Sequence, residues 1–396
     1  MRVLAVGNMY PPHHRGGYEL IWESGMELLR ERGHEAAVLT TDFAVDDPEP
    51  RPESGVEVRR ELRWYLRENR FPRLSLRERL ALESHNARVL GRVLGEVRPD
   101  AVAWWAMGGM SLSLVEAVAA AGIPSVAACC DDWYAYGPEV DAWTRMWARR
   151  PRLARAAGAA TRLPTGVDLG RAVDSWVFLS EHLAERARRA GIERRAERVA
   201  RRGADAAFHL PSRAGTWRWR LLYLGRIDER KGVDLAIDAL RFLPDGATLQ
   251  VVGSGDDAEA ARLSELAPAG RVEFASFPRT ELPELVASMD ALLFPVRWAE
   301  PWGLVPLEAM AAGTPVVASG RGGSGEYLRD GENCLLFDPD AGPEALAAAV
   351  ARLAEDERLR ERLVDGGRAT AAALDPRGFE TAVAEELERV AAKERA

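Results

Sequence analysis

Lysine is nearly absent from this chain: Lys231 and Lys393 are the only two among 53 lysines and arginines. An arginine-biased composition accounts for most of that. It also makes Lys231 conspicuous, because a compact ammonium and a planar guanidinium are not interchangeable. Cysteine is scarce too. Cys129, Cys130 and Cys334 make neither a metal-binding spacing nor a disulfide framework, and two adjacent thiols suit a reducing cytosol. No long basic run occurs and the net charge is −8, which argues against nucleic acid as the main partner. The opening MRVLAVGNMYPP has a five-residue apolar run, too short for a secretory signal. A clean 20-residue apolar helix is also missing. The stretch 101–130 carries a single charge, Glu116, but Gly108-Gly109, Gly122 and Pro124 cut it into strand, helix and strand. That is the pattern of a buried parallel-sheet unit, not of a membrane span. These absences predict a cytoplasmic globular protein.

At 396 residues the chain is long enough for two or three domains, and 47% hydrophobic residues suffice for a sizeable core. Strands are predicted at 2–7, 35–41, 100–106, 125–129 and 174–179, alternating with helices at 18–32, 75–97, 111–121 and 180–190. After the SRAGTW loop a second series begins. Its strands are 219–225, 248–253, 271–276, 290–295, 314–319 and 333–337. Its helices fall at 231–242, 256–266, 280–288, 303–312 and 325–329, followed by two alanine-rich helices. Alternation of this kind predicts an α/β protein with two Rossmann-like parallel-sheet domains facing across a cleft, with ligands at the carboxyl ends of the strands. The expected domains are 1–205, 206–375 and a helix, 376–396, packing back on the first. Between 139 and 162 six arginines face two acids, with Trp143 and Trp147 at helical spacing. This reads as one basic helix, either on the rim of the first sheet or engaging an acidic or membrane-linked acceptor.

Three strand ends carry candidate chemistry. Gly16-Gly17 stand immediately before a helix, where bare amides make an anion site. The loop YPPHHRGG is not a dinucleotide fingerprint, which disfavours a nicotinamide dehydrogenase. In GRIDERKG, Arg226 and Lys231 sit where strand gives way to helix and could clamp a diphosphate or simply be a solvated turn. In AEPWGLVPLEAMAAGTPVVAS, Glu300 and Glu308 bracket seven uncharged residues. Buried carboxylates need partners. Glu308 lies about 8 Å further along the axis of the helix beginning near Gly303, at 1.5 Å per residue. The amides of Trp302, Gly303 and Leu304 lie between the two, free to donate outward. A ligand with hydroxyls at both ends and anionic charge in the middle fits that layout, as a nucleotide-diphospho-sugar does.

That E-x7-E block resembles the signature of retaining glycosyltransferases of family 4, which have the GT-B fold. GRIDERKG, GGSGE (322–326), the early Gly-Gly loop, WVFLSEHL and RGADAAFHLP (202–211) follow in that family's order, so the resemblance spans essentially the whole chain. It implies an acceptor-side first domain and a donor-binding second one. Glu300 would then contact the transferred sugar beside its anomeric carbon, and Glu308 would hold the ribose hydroxyls. Arg226 and Lys231 would neutralise the departing diphosphate, Gly17 and the amides of Gly303, Leu304 and Val305 would bind phosphate and sugar, and Phe277 stands where nucleobase contacts are made. The resemblance implies no metal and no cofactor, the nucleotide-sugar being a substrate, with a UDP-sugar favoured and a GDP-sugar next. The acceptor would be a hydroxyl of a glycan, glycolipid or secondary metabolite, near residues 10–18 and 131–147. One departure stands out. In CCDDWYAYG, Cys130 takes the place of the family's histidine, which puts the donor sugar in question. Asp131 follows it and Trp133 supplies the aromatic, and His13 stands on the acceptor side. The rival readings are a nucleotide-sugar epimerase on the same fold and a catalytically silent nucleotide-sugar-binding protein. Oligomeric state leaves no mark in the sequence.

Overall fold

The computed structural model describes residues 1–393 apart from 46–47, 49–54, 67–70, 212–215 and 256. The SRAG part of the loop expected between the two strand series lies outside the described residues. The chain forms two compact units, one made of Met1–Ala200 with Phe379–Ala396, the other of Arg201–Gly378.

The first unit contains a seven-stranded parallel sheet. Its strands are β1 Arg2–Val6, β2 Glu35–Thr41, β3 Glu57–Leu62, β4 Ala101–Trp104, β5 Ser125–Cys129, β6 Ser175–Phe178 and β7 Glu197–Val199, in the order β3-β2-β1-β4-β5-β6-β7. β4, β5 and β6 are buried at every position, as parallel strands covered on both faces should be. The two edge strands, β3 (EVRREL) and β7, fall outside the sequence expectation. Edge strands tolerate charged side chains that also discourage sheet-to-sheet association, so no apolar run marks them.

The second unit contains a six-stranded sheet of β8 Arg220–Leu224, β9 Thr248–Val252, β10 Val272–Ala275, β11 Ala291–Phe294, β12 Val316–Ala318 and β13 Leu335–Leu336. The order is β10-β9-β8-β11-β12-β13, again all parallel. Leu221, Leu249, Val251, Leu293 and Val317 fill the interior with Leu346, Val350 and Leu353 of the helix Pro343–Glu355. Fully burying such a side chain contributes about 1.5–3 kcal/mol.

Three helix expectations are corrected, the first being the short helix expected at 325–329, which is a 3-10 turn Gly323–Glu326. The predicted helix 231–242 divides into a 3-10 turn Glu229–Lys231, an α-helix Val233–Ala239 and a second 3-10 turn Leu240–Phe242. Asp228 causes the first break, because its carboxylate accepts the Arg230 amide at 3.0 Å and caps the turn. The supposed single helix 139–162 is three: Trp133–Val140, Thr144–Trp147 and Pro151–Thr161. Asp141 interrupts it by accepting the amides of Leu112 (2.8 Å), Trp143 (2.8 Å) and Thr144 (2.9 Å). Trp143 is buried with Tyr65, Leu74, Leu82 and Leu163, and its indole donates to the Pro164 carbonyl at 2.7 Å. It belongs to the core and not to a binding surface. Among the described residues no helix is long and apolar enough to cross a membrane.

Candidate functional site

In the second unit the carboxyl ends of β8 and β11 bring Lys231 and Glu300 together. The Lys231 ammonium donates to Glu300 Oε2 at 2.7 Å, and the Trp298 indole N–H donates to the same oxygen at 2.7 Å. Trp298 also lies under two cations, with Arg230 4.8 Å and Lys231 5.4 Å from its ring centre. Glu300 is 8% exposed, and a carboxylate buried to that degree needs such compensation. Its backbone is fixed as well: Gly323 donates to the Glu300 carbonyl at 2.6 Å, and Glu300 donates to the Arg321 carbonyl at 3.2 Å. The GGSGE loop makes this crossing at Gly322, where φ is +71° and an added Cβ would lie 2.4 Å from the Glu300 carbonyl oxygen. Only glycine fits there.

The helix Leu304–Ala312 starts after Gly303, whose φ of +83° places it in the left-handed region. Tyr327 donates its hydroxyl to the Gly303 carbonyl. The first amides of this helix have no intrahelical acceptor, and they carry the positive end of the helix dipole. Leu304 and Val305 are therefore placed to donate to an anion. Trp302 faces the other way: its side chain is buried against Tyr327, and its indole donates to the Arg202 carbonyl at 2.9 Å. Its ring anchors the loop, leaving only its amide for a ligand.

Glu308, one turn into the helix, is 1% exposed. One of its oxygens accepts from Arg279, which also donates to Asp205 at 2.9 Å. The other oxygen, Oε2, is buried without a protein partner. Burial alone would lower the Arg279 pKa, but the Glu308 and Asp205 carboxylates outweigh it and raise the pKa. Arg226 is more open and pairs with Asp228 at 3.3 Å. Phe277 is half-buried, two residues before Arg279. Sequence reasoning passed over Arg279 and Trp298. Each lies within two residues of a position it did single out, but one arginine among dozens carries no periodic cue.

In the first unit, Gly16 precedes the helix Gly17–Glu31, and an added Cβ at Gly17 would have nothing within 4 Å. His13 is tied into the fold: its Nδ1 accepts the Val45 amide at 3.2 Å, and burial with the nearby Arg60 lowers its pKa. Asp131, just past the end of β5, accepts the Tyr136 hydroxyl at 3.0 Å. Burial foremost, and Asp132 beside it, push its carboxyl up to about 6 against the hydrogen bonds it accepts. Cys130 is buried. Trp133 is wholly buried and stacks on Trp176. Beyond β2 and β3 a cavity of about 410 Å³ is lined by Asp42, Phe43, Arg63 and Trp64, among others.

Residues 212–370 match the family model for glycosyl transferases group 1. The chain is 37% identical over 153 residues to the lipopolysaccharide core biosynthesis glycosyltransferase LpsE of Rhizobium meliloti (strain 1021), over 38% of this chain and 44% of that protein. It is also 37% identical over 179 residues to a glycogen synthase of Mycobacterium tuberculosis, over 43% of this chain and 42% of that one. It thus spans under half the length of these curated relatives. The fold is similar to the crystal structure of Anabaena Alr3699/HepE in complex with UDP and glucose, with a TM-score of 0.71, 21% identity and coverage of 98% and 99%. The match to the glycosyl transferases group 1 family model is thus carried by the second unit, and the fold is GT-B.

Proposed function

We propose that the protein is a retaining glycosyltransferase that moves a sugar from a nucleotide-diphospho-sugar, a UDP-sugar first and a GDP-sugar next, to an acceptor hydroxyl. The observation that carries this reading is the pair Glu300 and Glu308. Both are buried, each is tied to a cation of its own unit, and the open amides of Gly303, Leu304 and Val305 lie between them. Hydroxyls meet the two carboxylates and phosphate meets the amides. The HepE structure, which holds UDP and glucose, supports the same ligand class.

In this reading the bond from the anomeric carbon to the diphosphate oxygen breaks while the acceptor oxygen bonds to the same face of that carbon. The acceptor's proton passes to the departing phosphate. Charge building on the diphosphate is met by Lys231, Arg226 and the helix N-terminus, so the protein acts by positioning and electrostatics. Lys231, held by Glu300 before the donor arrives, shares its ammonium with the diphosphate afterwards. Protein cations do this work in the scheme without a metal ion. The acceptor, a hydroxyl of a glycan, glycolipid or secondary metabolite, meets the first unit. The exposed helix Pro151–Thr161, with Arg152, Arg155 and a 56% exposed Leu153, suits an acidic or membrane-linked one.

The test is a thermal-shift panel of UDP-, GDP- and ADP-sugars on the parent and on Glu308→Ala, followed by turnover with the donor that binds. One nucleotide should raise the melting temperature of the parent and not of the variant. The product's anomeric configuration, read by NMR, should match the donor's. An inverted product would remove retention, and binding with no transfer to any acceptor would reduce the protein to a binding module.

A further inference from the structure

Glu308 has two oxygens in different circumstances. Oε1 is fixed by Arg279, whereas Oε2 is buried and has no protein partner. Arg279 is itself fixed. It donates to Asp205 Oδ2 at 2.9 Å and lies over the Phe208 ring, 5.1 Å from its centre. Asp205 accepts from Arg202 through its other oxygen, Oδ1, at 2.8 Å. Arg202 returns to the site by its carbonyl, which takes the Trp302 indole. The segment 202–208, where the chain enters the second unit, thus holds both the loop carrying Glu300 and the helix carrying Glu308.

We propose that Arg279 is a positioning residue for donor binding: anchored by Asp205, it holds Glu308 turned so that Oε2 receives the vicinal hydroxyls of the donor's ribose. This rests on the donor reading above. An ionised carboxylate accepts from two hydroxyls more strongly than a neutral acid does, since charge-assisted hydrogen bonds are about twice as strong. A carboxylate as buried as Glu308 needs a compensating cation. Arg279 supplies that cation on the oxygen the ligand does not need.

The other charged and titratable groups around Glu308 do not take over this role. Asp205 is an anion, and Arg202 is spent on it. Tyr327 is engaged by the Gly303 carbonyl. Arg368, from the helix Glu357–Ala372, bonds the Ala312 and Leu210 carbonyls at the far end of the Glu308 helix. Glu284 of the neighbouring helix Leu282–Ser288 is exposed, and β11 and β12 bring no charge.

The experiment measures, by calorimetry at pH 6 and pH 8.5, the affinity of the stabilising nucleoside diphosphate (UDP first) and of its 2′,3′-dideoxy form. The parent should prefer the ribose form about tenfold or more at both pH values, the scale of a charged hydrogen bond, and Glu308→Ala should lose the preference. Should the parent show no preference, or Glu308→Ala keep it, the donor reading itself falls and this inference with it. Once that control passes, Arg279→Gln should lose most of the preference at both pH values. Arg279→Lys should keep most of it. Asp205→Asn, which leaves both Arg279 and Glu308 in place, should weaken it about two- to fivefold, and it decides the matter if Arg279→Gln fails to fold. An unchanged preference in Arg279→Gln, or equal losses in Arg279→Gln and Arg279→Lys, overturns the positioning role. In the absence of a folded Arg279→Gln, an unchanged preference in Asp205→Asn does the same.

Discussion

Lys231 and Trp298 both aim a hydrogen at Glu300 Oε2, and this shared oxygen sets what each residue contributes. The lysine brings charge that a departing diphosphate needs, whereas the indole brings only direction. Lys231→Ala should therefore lower turnover by about 10²–10³, the range seen when a charge-stabilising group is removed from a transition state. Trp298→Phe keeps the ring beneath Arg230 and Lys231 and removes a single donor. It should lower kcat about tenfold, in line with about 1.5 kcal/mol for one hydrogen bond to a charged group. Steady-state kinetics on both variants with the stabilising donor separate the two effects. Parental turnover in Trp298→Phe would mean the indole merely packs. The two glutamates and Lys231 were legible in the sequence because one short block holds both acids and one lysine stands alone mid-chain. Arg279 and Asp205 were not. The partners of Arg279 lie 29 residues after it and 74 before it, at separations set by the fold and by no local period.

Elements were legible where burial writes a pattern. The continuous apolar strands β4, β5, β6 and β11 sit where their runs predicted, and Ser75 with Glu78 forms the capping box that starts the helix Leu76–Val97. The polar edge strands and the breaks made by Asp141 and Asp228 were not legible, because a capping carboxylate looks the same in sequence as a solvated one. That long helix also hides a charge. Glu83 is wholly buried and accepts from the Tyr65 and Ser113 hydroxyls. Burial first, and Asp141 second, push its carboxyl up to about 7 from an ordinary 4.5. Across that pH interval the folded chain holds a proton that the unfolded chain has released, so stability is complete at the acid end and falls as pH rises. The loss is on the order of 3 kcal/mol by the full shift. Glu83→Gln cannot release a proton, so denaturant midpoints measured from pH 5 to pH 8 should decline less steeply than in the parent. Parallel profiles would show that the side chain titrates normally.

At the scale of the whole molecule, one helix ties the chain's two ends into a single core. Gly378–Lys393 follows the second unit in sequence, yet from Phe379 onward it is part of the first. Phe379 is wholly buried and meets Trp105 edge-on, with ring centres 6.2 Å apart. Further along, Glu386 accepts from Ser175 at 2.6 Å and Glu388 bonds His34 at 2.8 Å, while the exposed pair Glu385–Arg198 adds little. The first unit's core is thus completed by residues made almost 180 positions after Ala200, and its stability depends on an apolar seam more than on those polar ties. Phe379→Ala should cost about 3–5 kcal/mol, as for other buried aromatics cut back to a methyl. A two-unit chain has no single unfolding free energy, so a melting point would blur the effect. Hydrogen exchange followed by mass spectrometry resolves it by position. Protection should fall in peptides covering β1, β4 and the helix Gly17–Glu31, whose Gly25 lies against both Trp105 and Glu380. If those peptides exchange as in the parent while only the terminal helix loosens, the helix rests on a core that is already complete without it.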